Sequence, residues 1–213
     1  MELKLYHGQL CPIIHVKDAV DKETRERISQ EILDYKAQTD MTLPSNNDNC
    51  WRAPLQMKQD IYTPGLSEQS IEFIQNTVQT SVGNMLDVIV AHPNNNENTQ
   101  KEIIEDYLGP VDFWGWVNVN EKGGDNTFHA HATSWMSGVM YFQTEGTGSI
   151  FFRSLETQYS ITPYNWPYHN DLQFTPEDGD MLLFPSYLSH WVEANPIEKP
   201  RINMAWNINF ELK

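Results

Sequence analysis

The hydrophobic period of the chain changes near residue 111. Upstream of that point the apolar positions recur mostly at helical spacing. Ile28, Ile32, Leu33 and Tyr35 fall on one side of a predicted helix over residues 21–38. Ile71, Ile74, Val78, Val82, Met85, Leu86 and Ile89 predict a second, amphipathic helix of about six turns, opened by Ser67 and Ser70. It should end at His92-Pro93, since the residue before a proline leaves the helical region. Thr99 to Leu108 predicts a shorter helix closed by Gly109-Pro110. Residues 3–17 alternate weakly, enough for one or two strands. Residues 40–65, with Pro44, Pro54 and Pro64 among many Asn, read as mostly irregular.

Downstream the period is two. The runs VDFWGWVNVNE, SWMSGVMYFQ, GSIFFRS, DMLLFPS and RINMAWNINFEL are strand-like, and Gly-, Asn- and Pro-rich turns separate them. Many short strands with such turns predict a mainly β protein with a jelly-roll core over 111–213. Residues 1–110 form a helical and irregular N-terminal layer whose helices pack on one outer face, so that 1–213 is a single domain. The last strand carries the layering most clearly. Ile202, Met204, Trp206, Ile208 and Phe210 fall on one face, which needs cover; Arg201, Asn203, Ala205, Asn207 and Asn209 fall on the other. A polar row turned into a barrel interior marks a ligand site rather than a dry core.

Composition narrows the partners. The 213 residues carry 14 Lys+Arg against 29 Asp+Glu, a formal net charge of −15, so neither a nucleic-acid footprint nor attraction to an anionic membrane is expected. Residues 1–20 lack the features of a signal peptide, and no apolar run is long enough to span a bilayer. Two cysteines, Cys11 and Cys50, make no disulfide framework, and a cytoplasmic location is the simplest expectation. Aromatics reach 12%. Of these, Trp114, Trp116, Trp135, Phe151 and Trp191 are candidates to shield a site, with ordinary core packing the plainer role for most.

The candidate chemistry lies in histidines. His129 and His131 are two residues apart in FHAHATSW, and on a strand both imidazoles would point at one spot. H-x-H alone is weak, because a surface pair on a strand edge has the same spacing. His190 follows PSYLSH, and by itself reads as a partly buried strand-end histidine. Arg201 begins the last strand on its polar row, where a buried guanidinium asks for a bidentate carboxylate partner.

The ordered set H-x-H, GD-x-LLFPS-x-x-x-H and R-I-x-x-x-x-N, together with the Asn118–His131 stretch and Ser137-Gly138-Val139-Met140-Tyr141, resembles the Fe(II)/2-oxoglutarate-dependent oxygenases. It is most similar to a short group within them, over residues 113–210. The resemblance implies a double-stranded β-helix fold and an Fe(II)- and 2-oxoglutarate-dependent dioxygenase, a hydroxylase using O2. It implies His129, His131 and His190 as metal ligands. Arg201 would hold the far carboxylate of 2-oxoglutarate, and Tyr141 would share it; Asn118 and Asn203 would line the same pocket. Where the family places a carboxylate, this chain has His131. Three neutral ligands leave a bound ion one unit more positive, compatible with Fe(II) or with Zn(II). Asp125 is a poor substitute, four residues before His129.

Three readings therefore stand side by side: the oxygenase, a cupin-like three-histidine metalloenzyme without 2-oxoglutarate, and a non-enzymatic jelly-roll binding or structural protein. The substrate class stays a small molecule or a protein side chain. The oligomeric state stays open, with a homodimer among the options. The irregular 40–65 segment, with Trp51-Arg52, has the character of a lid or binding loop, or of packing. The stretch Tyr164–His169 is similar in character, and His169 is not expected to be a ligand.

Overall fold

The computed structural model describes residues 2–8, 11–40, 43, 49–56, 65–90, 108–153 and 171–212. Among the described residues, eleven strands and two helices follow in chain order. They are β1 (Glu2–Gly8), β2 (Cys11–Lys17), α1 (Lys22–Gln38), β3 (Cys50–Gln56), α2 (Glu68–Val90), β4 (Leu108–Asn120) and β5 (Asn126–His129), then β6 (Met136–Gln143), β7 (Ile150–Phe152), β8 (Leu172–Phe174), β9 (Met181–Pro185), β10 (His190–Val192) and β11 (Arg201–Leu212).

Two antiparallel sheets face each other. The large one runs β1-β2-β9-β6-β11-β4-β3, and the small one runs β5-β10-β7-β8. This is the jelly-roll expected, with N-terminal strands added at both ends of the large sheet. The alternation of β11 is the reason for the layers. Ile202, Met204, Trp206 and Ile208 are buried in a core shared with Ile28 and Ile32 of α1 and Ile74, Val78 and Val82 of α2. The helices thus cover the outer face of the large sheet, whose apolar area drives their docking. A second core, including Val139, Phe152, Leu182 and Phe184, fills one part of the space between the sheets. The polar row of β11 faces that interspace.

The helix starts follow their sequence. Asp21 caps α1, accepting hydrogen bonds from Thr24 N at 3.0 Å and Thr24 Oγ1 at 2.7 Å. Ser67 Oγ accepts from Ser70 N at 3.3 Å at the start of α2, and Arg27 ties the two helices through Ser70 Oγ at 3.2 Å.

Two expectations are corrected. Residues 50–56 are not irregular but form β3, paired with β4 from Cys50–Asn120 to Gln56–Trp114. Pro54 hid the strand; β3 is an edge strand, where a residue lacking an N–H is tolerated. The strand carrying the H-x-H pair also stops at His129, so His131 begins a turn instead of continuing a strand. The helix expected over 99–108 falls mostly outside the described residues, with Leu108 opening β4. The 164–169 stretch lies wholly outside them.

Candidate metal centre

The small sheet brings the histidines together. His190, the first residue of β10, pairs directly with His129 at the end of β5. Their ring centroids are 4.3 Å apart. His131 arrives from the turn: its backbone N donates to Ser186 O at 2.8 Å, and Ser134 N donates to His131 O at 2.9 Å. That bend, rather than strand alternation, carries its ring to within 4.9 Å of His129 and 5.3 Å of His190. One ring nitrogen from each of the three lies within 4.8 Å of the others. Asp125 is not in this cluster, and among the described residues no carboxylate joins it.

Two of the rings are oriented by main-chain carbonyls. His129 Nδ1 lies 2.6 Å from Thr127 O, and His190 Nδ1 lies 2.9 Å from Leu188 O. Each carbonyl can only accept, so Nδ1 carries the proton and the Nε2 lone pair is left for an ion. Burial lowers the proton affinity of all three. His190 is held down to about 3, by desolvation first and then by His129 and His131. His131 is held down to about 4, by desolvation, His129 and Arg52. His129 is lowered by desolvation and by Arg52, against the opposing bond to Thr127. Three neutral imidazoles with inward lone pairs are a donor set for a divalent transition metal.

The centre lies in a cup between the sheets, with about 500 Å³ of space that is partly open to solvent. Its large-sheet wall includes Trp116, Asn118, Tyr141, Asn203 and Ala205, and none of the described residues lining it is acidic. Register explains the wall. Asn203 is opposite Asn118 on β4 and Tyr141 on β6, so the three lie in one transverse row. Asn118 Nδ2 donates to Asn203 Oδ1 at 2.8 Å, while Asn118 Oδ1 is buried without a partner. Burial pushes the Tyr141 phenol up, against the opposing pull of Arg201, so it stays a neutral O–H donor. Trp116 leans over His131, ring centroids 5.6 Å apart.

Arg201 is 1% exposed on the neighbouring row. Its partners differ from those expected of a bare carboxylate holder. Nη1 donates to Thr147 O at 2.8 Å and Glu193 O at 3.1 Å, and Nη2 donates to Gly124 O at 3.4 Å. Only Nε is buried without a partner. Three main-chain carbonyls therefore take much of the capacity that the sequence leaves for an anion.

Among the aromatic shield candidates, Trp116 lines the cup and Trp114 packs beside it at 4.9 Å. Trp135 is partly exposed. Phe151 and Trp191 stack on each other at 4.1 Å, on the face of the small sheet opposite the inward-facing Ile150 and Phe152. They do not shield the centre. Arg52, read from the sequence only as part of a loop, lies on β3 opposite Asn118. The missing signal was the strand register, which a proline-containing heptapeptide does not disclose.

Comparison with known proteins agrees with this architecture. Residues 115–207 match the family model described as "Putative 2OG-Fe(II) oxygenase". By sequence, no curated protein matches. A prolyl-4-hydroxylase from Pseudomonas putida superposes with a TM-score of 0.63 at 11% identity, covering 93% of this chain and 92% of that one. HygX from Streptomyces hygroscopicus, solved with nickel and 2-oxoglutarate bound, gives 0.60 at 11% identity over 92% and 82%. A prolyl hydroxylase from Trichoplax adhaerens, in complex with a hypoxia inducible factor peptide fragment, gives 0.58 at 11% identity over 93% and 83%. At these identities the superpositions establish the jelly-roll fold.

Proposed function

We propose that the chain, whose residues 115–207 match a 2OG-Fe(II) oxygenase family model, uses Fe(II), 2-oxoglutarate and O2 to hydroxylate a small molecule or a protein side chain, with His129, His131 and His190 as the iron ligands. The observation that carries this reading is the meeting of three imidazole nitrogens within 4.8 Å in the cup. When bound, Fe(II) and 2-oxoglutarate supply the oxidising chemistry: O2 is consumed, 2-oxoglutarate becomes succinate and CO2, and a substrate C–H bond becomes C–OH.

The residues of the chain supply position and exclusion. Thr127 O and Leu188 O hold the protons of His129 and His190 on Nδ1, so both rings offer Nε2 without first losing a proton. Arg201 Nε and the Tyr141 hydroxyl are the donors for the far carboxylate of 2-oxoglutarate, and the unpartnered state of that Nε fits an acceptor brought by the cosubstrate. Asn118 and Asn203 brace each other in the same row. Trp116, beside His131, would keep water from one side of a bound ion. Prolyl side chains are not assigned to this chain, since the prolyl hydroxylases it superposes on share only its fold.

His131 in the acid position favours a second reading, a three-histidine metalloenzyme that does not take 2-oxoglutarate. Anaerobic titration of the Fe(II)-loaded protein with 2-oxoglutarate decides between them, followed by succinate release under air. Saturable binding that Arg201→Lys weakens supports the oxygenase. Full metal loading with no binding at millimolar 2-oxoglutarate supports the second reading.

A further inference from the structure

Arg52 is a second cation on the inner face of the large sheet, two strands from Arg201. It stands opposite Asn118, which stands opposite Asn203, which stands opposite Tyr141. Opposed residues on antiparallel strands project from the same face. Arg52 therefore extends a row whose other three members line the cup. Its strand neighbours Trp51 and Ala53 turn the other way, into the core beneath the helices, as alternation requires.

Arg52 is half-buried, and its Nε is buried with no hydrogen-bond partner. Among the described residues no carboxylate pairs with it, and none of those lining the cup is acidic. A donor kept from water without an acceptor is unfavourable, and a ligand oxyanion accepting from that Nε relieves the cost. The adjacent row on the same face is apolar: Pro54 stands opposite Trp116, and Trp116 opposite Ala205. Beyond it, Trp114 packs on Trp116 yet is 43% exposed. An anion anchor thus borders an indole surface open to solvent.

The geometry points to Arg52 as the anchor for a carboxylate of the primary substrate, with Trp116 and Trp114 receiving the apolar body that bears it. The word "primary" rests on the oxygenase reading, in which Arg201 serves the cosubstrate; the anion site itself does not.

The test is calorimetric titration of the full chain, with and without Zn(II), using phenylacetate, phenylacetamide and phenyl phosphate as probes and 2-oxoglutarate in a parallel series. The expected result is saturable phenylacetate binding, with the neutral amide about tenfold weaker or worse. Arg52→Ala and Arg52→Gln should each weaken phenylacetate by about tenfold while 2-oxoglutarate affinity stays within about twofold. Thermal unfolding identifies the variant of the two that keeps its fold. Absence of phenylacetate binding, equal binding of the amide, tighter binding of phenyl phosphate, or a parallel loss of 2-oxoglutarate affinity in the Arg52 variants overturns the assignment. Arg52-dependent phenylacetate binding without any 2-oxoglutarate binding upholds the anion site and removes the oxygenase reading instead.

Discussion

Removing the Arg201 guanidinium should cost stability before it costs chemistry. In Arg201→Ala the carbonyls of Thr147 and Glu193 lose donors at 2.8 and 3.1 Å, and Gly124 O loses a longer contact at 3.4 Å. Hydrogen bonds from a charged donor contribute about 1.5–3 kcal/mol each, and the 3.4 Å contact adds little. Desolvation of the buried cation offsets part of this, as the depressed proton affinity of Arg201 shows; burial is its main cause, opposed by Tyr141, Cys50, Asp125 and Glu193. The net expected loss is about 2–4 kcal/mol, a large share of the roughly 5–15 kcal/mol that holds a domain folded. For a chain of this size that corresponds to a Tm lower by roughly 10 °C. Urea unfolding of the metal-free protein, followed by tryptophan fluorescence at constant slope, measures it. A loss below about 1 kcal/mol would refute the reading of Arg201 as a clamp joining the turns before β5 and β7 to the loop after β10. It would leave the guanidinium with the cosubstrate role alone.

Three further outcomes are expected. His129→Ala and His190→Ala should each lower metal affinity by more than the roughly 10–100-fold typical of losing an orienting partner; elemental analysis reads the metal content, and a variant that retains one ion per chain contradicts the centre. Gly138→Ala should destabilise by about 1–3 kcal/mol, because a Cβ there runs into Cζ2 and Cε2 of Trp206, on a ring that is 0% exposed; an unchanged urea midpoint would show that the ring yields. Asp180→Asn concerns acid stability. Burial pushes the Asp180 carboxyl up, but hydrogen bonds from His15 at 2.8 Å and Glu177 N at 3.1 Å outweigh it and hold the group below its ordinary 3.8. A folded-state value below the unfolded one gives stability that is present above about pH 4 and lost as pH falls through the folded value. The wild type should therefore exceed Asp180→Asn at pH 7 by about 1–2 kcal/mol and converge on it in acid; a gap constant from about pH 3 to 7 would contradict this linkage.

How much was legible depended on the range of the physics. A period-two pattern over Arg201–Leu212 is local: it fixed a strand with one apolar and one polar face, and so a sheet needing cover on one side. The helical repeat of Ile74, Val78 and Val82 was equally local, and the cover it offered was the cover used. The identities of His129, His131, His190 and Arg201, in their order, carried the candidate chemistry. Three things were not local. His131 reaches the ion site because a turn pinned to Ser186 bends its ring inward, and no i, i+2 rule contains that bend. Arg201 spends its donors on carbonyls from three turns that the chain brings to it only on folding. Arg52 projects from the same sheet face as Asn118 because β3 adds to the edge of the large sheet in one register; a slip of one residue would exchange it with Trp51 and turn the charge into the core. Side-chain period is written in the residues themselves, whereas which strand lies beside which, and in what register, is decided by pairings between segments up to 169 residues apart, as between Ile14 and Leu183.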